Sequence, residues 1–190
     1  MHWPGVRPHS AGEYFGVVRY RGQVQGDADV DGSVPPVAGS RPGVAGRVVR
    51  LVFPRPGHVY DVRERRLLGW LDHVEPELGV GDAKLYALLP YTVERIDVTA
   101  PKEVRAGDEV RYGVRLTASE AATPGNHVVV MAVYEPSGAP VRRYATRVPL
   151  SEGRGEGAIP LALSDAPGTW RLAATDVVSG VTGETTFDVR

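Results

Sequence analysis

Along most of the chain the hydrophobic positions recur every second residue. In "EVRYGVRLTA" (109–118), Val110, Tyr112, Val114 and Leu116 fall on one side, and Arg111, Gly113, Arg115 and Thr117 on the other. That period predicts a strand with one buried and one wet face. "HVVVMAVYEP" is apolar on both faces and predicts a central strand. "PSGA" supplies a turn, and "VRRYATRV" is expected to return as the partner strand. Further on, "GAIPLALS" places Ile159, Leu161 and Leu163 inward, "GTWRLAATDV" places Trp170, Leu172 and Ala174 inward, and "ETTFDVR" closes with Phe187 and Val189. From Glu94 onward this predicts seven strands, the size and strand number of an immunoglobulin-like sandwich.

The first half is less regular. "EYFGVVRY", "RVVRLVF", "GHVYDV", "LLGWLD", "HVEPEL" and "AKLYALLPY" predict six short strands, with a turn at "GVGD". Between the first two lies a Gly/Pro/Asp-rich stretch, 22–46, which reads as a long loop. The expected fold is therefore all-β: two antiparallel β-sandwich modules, 1–93 and 94–190, the second immunoglobulin-like. Long helical periods, fixed-period repeats and heptads are absent from the sequence.

"HVYDVRERRLLGW" (58–70) crowds Asp61, Arg63, Glu64, Arg65 and Arg66 beside His58. Apolar flanks around a polar tip predict a hairpin. Asp61 and Arg63, two apart, would share a strand face and form an ordinary surface ion pair. Nothing in the sequence fixes a nucleophile or an orienting partner beside His58.

Composition narrows the chemistry. The 190 residues include 22 Lys plus Arg against 23 Asp plus Glu, with 42% hydrophobic and 24% charged residues, an ordinary globular balance. Each half is also near neutral, which gives no electrostatic case for a nucleic-acid or anionic-membrane partner. The lack of cysteine excludes disulfides, thiolate zinc sites and Cys nucleophiles. "MHWPGVRPHSAGEYFG" has no apolar core of a signal peptide, and runs such as "HVVVMAVY" are too short to span a membrane as a helix. That leaves a cytoplasmic protein, or a piece whose export signal lies upstream.

Two sets of residues stand out as ligand candidates. Asp27, Asp29 and Asp31 before Gly32 match the first half of a calcium loop, where alternating carboxylates converge on a hard cation. The twelfth position is Ala38 rather than Glu, and Pro35 and Pro36 oppose the following helix. Any calcium site here is therefore not an EF-hand. Among aromatics, Trp170 lies in the buried phase of its strand. Trp70, after the hairpin, and Trp3 and Tyr14, near the irregular start, are the candidate sugar-stacking residues, with Phe15 and Tyr20 close by. The histidines at 2, 9, 73 and 127 show no metal-ligand spacing, and no nucleophile-elbow, P-loop or dinucleotide motif occurs.

"HVYDVRERRLLGWLDHVEPELGVGDAKLYALLPY", with "EYFGVVR" as opening strand, resembles the small β-sandwich that follows the catalytic barrel in many bacterial glycoside hydrolases. "VYEPSGAPVRRY" and "LALSDAPGTWRLAATDVVSGVTGETTFDV" resemble macroglobulin-like and immunoglobulin-like modules of large bacterial surface proteins. In this order they resemble the C-terminal end of β-galactosidase-like proteins. The resemblance implies a non-catalytic accessory region, partnered by a glycoside hydrolase catalytic domain or a polysaccharide, in an extracytoplasmic setting. It carries over no catalytic residue, because the family's catalytic carboxylates belong to a barrel. The long loop at 22–46 departs from the compact hairpin of that family. A carbohydrate-binding module and a cell-envelope adhesion or protein-interaction module are the alternative expectations.

Overall fold

The computed structural model describes residues 12–19, 46–119 and 122–190. These form fourteen strands and no long helix, an all-β fold of antiparallel sheets with one short parallel pair. Among the described residues, no helix is long and apolar enough to cross a membrane.

In the first half the strands are β1 (Glu13–Val18), β2 (Arg47–Val48), β3 (Leu51–Asp61), β4 (Arg66–Val74), β5 (Glu77–Leu78) and β6 (Ala83–Leu89). Four of them make one sheet in the order β1-β6-β3-β4, while β2 and β5 form a short ladder of their own. "RVVRLVF" and "GHVYDV" do not end as separate strands, because β3 runs on through Pro54 and Pro56. It can do so because both prolines fall in a gap between Val52 and Gly57 in its ladder with β4, and before its ladder with β6 begins. No ladder there requires their missing N–H groups. "HVEPEL" is divided instead: β4 stops at Val74, and β5 resumes after Pro76. The turn before β6 forms as expected, with the Asp82 carboxylate accepting the Gly79 N–H at 2.7 Å.

In the second half the strands are β7 (Val93–Thr99), β8 (Glu103–Val104), β9 (Glu109–Ala118), β10 (His127–Tyr134), β11 (Thr146–Leu150), β12 (Arg154–Pro160), β13 (Gly168–Asp176) and β14 (Thr182–Val189). A five-stranded sheet, β11-β10-β13-β14-β8, faces a three-stranded sheet, β12-β9-β7. The central position predicted for "HVVVMAVY" is observed, with β10 between β11 and β13. Two local expectations are corrected. "VRRYATRV" is not one strand: Arg142–Tyr144 forms a 3₁₀ turn, and pairing with β10 starts at Thr146. Leu163 does not point inward; it is 86% exposed, because β12 ends at Pro160 and the chain turns where the Asp165 N–H meets the Ala162 carbonyl.

The sandwich interior follows the two-residue period. Val110, Tyr112, Val114 and Leu116 of β9 face Val129, Met131 and Val133 of β10 and Trp170, Leu172 and Ala174 of β13. The Trp170 indole stacks on Phe187, centroids 6.2 Å apart, and donates Nε1–H to the Ala166 carbonyl at 2.9 Å. Its large apolar body and its one polar group are therefore both satisfied. At Gly183 the sheets approach so closely that a Cβ would lie 1.9 Å from the Ile96 carbonyl oxygen, which only glycine tolerates.

The four-stranded sheet uses both of its faces. One carries a small cluster of Phe53, Val59, Val74, Tyr86 and Leu88. The other contributes Tyr60, Ala87 and Leu89 to the sandwich core, joined by Tyr91 from the connection between the halves.

Candidate functional site

The hairpin at 58–70 forms, and its charges have structural partners. Asp61 is buried, so the predicted surface pair with Arg63 is replaced. Its Oδ1 accepts the backbone N–H groups of Arg63 and Glu64, both at 3.1 Å, which holds the turn. Its Oδ2 accepts from Lys84 Nζ at 3.1 Å, and Lys84 also reaches Glu64 at 2.8 Å. The hydrogen bonds to Glu64 and Asp61 raise the Lys84 pKa, and the bond from Lys84 lowers that of Glu64. The tip does not hang free in solvent. Arg65, at φ +50°, abuts the turn at Gly180, where a Cβ would lie 2.9 Å from the Arg65 carbonyl oxygen.

Trp70 is 59% exposed and Tyr14 54% exposed. Cross-strand partners share a face. Tyr14 is opposite Ala87, which is opposite Tyr60, and Trp70 is opposite His58, which is opposite Leu89. Both aromatics therefore project from the face that docks on the sandwich, but from its two outer strands, three strand spacings or roughly 14 Å apart. The residues between them, Tyr60, Ala87 and Leu89, are buried in the larger core. The structure does not join Trp70 and Tyr14 into one platform. Trp70 instead meets His58 edge-on, centroids 4.9 Å apart at 79°. Phe15 turns to the other face and packs on Phe53. Trp3, Tyr20, Asp27, Asp29 and Asp31 lie outside the described residues. Among the described residues, no group of three His, Asp or Glu is placed to hold a metal ion.

Tyr14 lines a groove of about 640 Å³ where the first sheet meets the sandwich. Val62 and Leu85 come from the sheet side, and Val128, Leu150 and Val178 from the sandwich. At its base lies a polar chain that the sequence reading missed. Asp176 is fully buried and His127 is 3% exposed. His127 Nδ1 lies 2.9 Å from Asp176 Oδ1, and its Nε2 lies 3.0 Å from the Tyr91 hydroxyl. With Asp176 ionised, Nδ1–H donates to the carboxylate and Nε2 accepts the Tyr91 O–H. The Tyr91 oxygen in turn accepts the Gly125 N–H at 2.7 Å, and Asp176 Oδ2 accepts the Ser179 N–H and hydroxyl, each at 2.7 Å. Burial opposes the Asp176 charge, but the bonds from His127 and Ser179 outweigh it and hold the carboxyl below its usual range. Burial pushes the Tyr91 phenol up. Nearby, the Tyr60 hydroxyl accepts the Val93 N–H at 3.1 Å, and Ser119 Oγ accepts the Thr92 N–H at 3.0 Å, so the connection at 91–93 is tied at every residue.

A third polar centre stabilises the "SDAPGTW" turn. The Asp165 carboxylate accepts from Arg143, from the Tyr144 hydroxyl at 2.6 Å and from the Ala162 N–H at 2.9 Å. No buried side-chain nitrogen or oxygen among the described residues lacks a hydrogen-bond partner. A signal for the missed chain was present in the sequence. His127 and Asp176 each continue the buried phase of an apolar strand, at 127-129-131-133 and 170-172-174-176. A polar residue in that phase needs a buried partner.

No protein-family model matches the chain, and no curated protein sequence does. Among solved structures, a CARDB domain from Pyrococcus furiosus, in complex with di-metal ions, overlays with a TM-score of 0.37 at 12% identity, covering 53% of this chain and 89% of that one. A β-glucosidase from Listeria innocua overlays with a TM-score of 0.35 at 15% identity, covering 63% of this chain but only 18% of the enzyme. Neither likeness carries an argument about what this chain does.

Proposed function

We propose that the chain is a non-catalytic accessory region, docking on a glycoside hydrolase-like catalytic domain or spacing it from a surface. The observation that carries this reading is the use made of the buried polar groups. Asp61 and Asp165 each hold a turn, and Asp176 and His127 tie the connection between the halves. Each is satisfied by backbone or by a committed neighbour. A catalytic group needs at least one lone pair or proton aimed at a substrate.

A second reading, carbohydrate binding, is favoured by Trp70. An exposed indole beside an imidazole edge presents an apolar face with a polar rim, which is what a pyranose ring stacks on. The deciding experiment is a glycan-array screen of the purified chain with and without calcium, paired with a hydrolysis assay on aryl glycosides. The accessory reading expects no turnover and no glycan signal that depends on Trp70. A signal abolished by Trp70→Ala moves the function to carbohydrate binding at that edge, and calcium dependence assigns Asp27, Asp29 and Asp31 to a cation. Turnover of any aryl glycoside contradicts the accessory reading.

A further inference from the structure

The outer face of the three-stranded sheet carries an arrangement that folding alone disfavours. The register of β12-β9-β7 aligns three outward rows: Ala158 with Arg111, then Glu156 with Gly113 and Thr99, then Arg154 with Arg115 and Asp97. Arg154 and Arg115 are direct cross-strand neighbours, and like charges in that position repel; Asp97, across from Arg115 on its other side, is engaged by Arg95. Other charges on this face are paired along their own strands, Arg111 with Glu109 at 3.0 Å and Arg95 with Asp97 at 3.1 Å. Arg115, Arg154 and Glu156 have no ion-pair partner among the described residues.

Beside the two arginines the sheet is hollow. Gly113, lacking a side chain, forms the floor between Glu156 and Thr99, and two adjoining depressions of about 490 and 580 Å³ share these three residues. The Thr99 hydroxyl leans toward the Gly113 carbonyl at 3.4 Å, and a Cβ on residue 113 would lie 2.9 Å from it.

The geometry points to a binding site for a uronic-acid-type saccharide on this face. Arg115 and Arg154 both line one of the two depressions, and a pair of guanidiniums there is able to clamp one carboxylate. One row along the strands, about 7 Å away, Glu156 and Thr99 stand ready for sugar hydroxyls, with the ring over the glycine floor. Glu156 selects within the class of anions. It repels a dense polyanion or a bare sulfate, but it accepts hydrogen bonds from hydroxyls on a ligand carrying a single carboxylate at one end. This site lies on the second half of the chain, away from Trp70, and stands or falls independently of the accessory reading.

The test is a titration of the full chain with methyl galactopyranosiduronate, which carries one carboxylate, its neutral methyl ester and sodium sulfate, read by amide NMR shifts. The site predicts saturable shifts at Thr99, Gly113, Arg115 and Glu156 with the single-carboxylate uronate only, weakening as salt is added. Arg115→Ser and Arg154→Ser should each weaken binding at least tenfold, and should leave the melting temperature unchanged or raise it by relieving the repulsion. Absence of shifts at these amides at millimolar ligand, equal response to the methyl ester or to sulfate, or a marked fall in the melting temperature of both variants would overturn the proposal.

Discussion

In the first sheet the buried carboxylate, Asp61, finds its partners within its own hairpin and on the adjacent strand β6, at Lys84. In the sandwich, Asp176 reaches 49 residues back to His127, and through it to Tyr91 in the connection. The apolar groups divide the same way. The cluster on the outer side of the first sheet gathers five buried side chains among the described residues, whereas the sandwich core gathers more than twenty and recruits Tyr60, Ala87 and Leu89 from that sheet. One region is held by local turn chemistry and borrows much of its burial. The other is held by long-range contacts and lends it. A small sheet with one thin apolar face is marginal by itself, so the polar chain at the junction matters to both halves.

The largest expected break is at the lending core. Trp170→Ala should cost about 3 to 5 kcal/mol, as for other fully buried large aromatics; denaturant melts measure it, and a loss near zero would remove Trp170 from the core. Next comes the junction. Asp176→Asn replaces the charged acceptor of His127 and Ser179 by a neutral amide and should cost about 2 to 3 kcal/mol, read from the same melts. Asp61→Ala frees two turn N–H groups and should cost less, about 1 to 2 kcal/mol. If it exceeded Asp176→Asn, the ranking of local against long-range polar groups would be reversed.

Acid should sharpen the contrast. Asp176 titrates below its unfolded value, so its stabilisation is fully present above the ordinary Asp pKa of about 4 and is lost as pH falls through the lower folded value. Melting temperature should therefore drop below about pH 4 in the native chain, and by less in Asp176→Asn. The smallest effect is expected at the exposed edge: Trp70→Ala should change stability by less than about 0.5 kcal/mol, and a larger loss would show that the indole is packed against something in solution.

Much of the sandwich was legible because its strands alternate cleanly. The inward sets at 110–116 and 170–174 could be read from the period alone, and both are buried. The failures were at places where another force overrides the period. Leu163 keeps the phase of its strand, but the strand has already ended in a turn fixed by Asp165. "RVVRLVF" and "GHVYDV" read as separate strands, yet Pro54 and Pro56 between them fall where neither neighbour needs an N–H. Asp61 read as a surface charge because its true partner, Lys84, lies 23 residues on in a strand whose register sequence does not reveal. The Tyr91, His127 and Asp176 chain was only half legible: polar residues in the buried phase of β10 and β13 called for buried partners, but only the tertiary fold brings the three together.

Through Tyr91, His127 and Asp176 the first sheet should be coupled to the sandwich. Hydrogen exchange of the full-length protein, native against Asp176→Asn, tests it most directly. Protection should fall together in β10, in β13 and in the β6 segment at 87–89, although β6 makes no hydrogen bond to any of the three polar groups. Loss confined to the amides around 125–129 and 176–180, with β6 as protected as before, would contradict it.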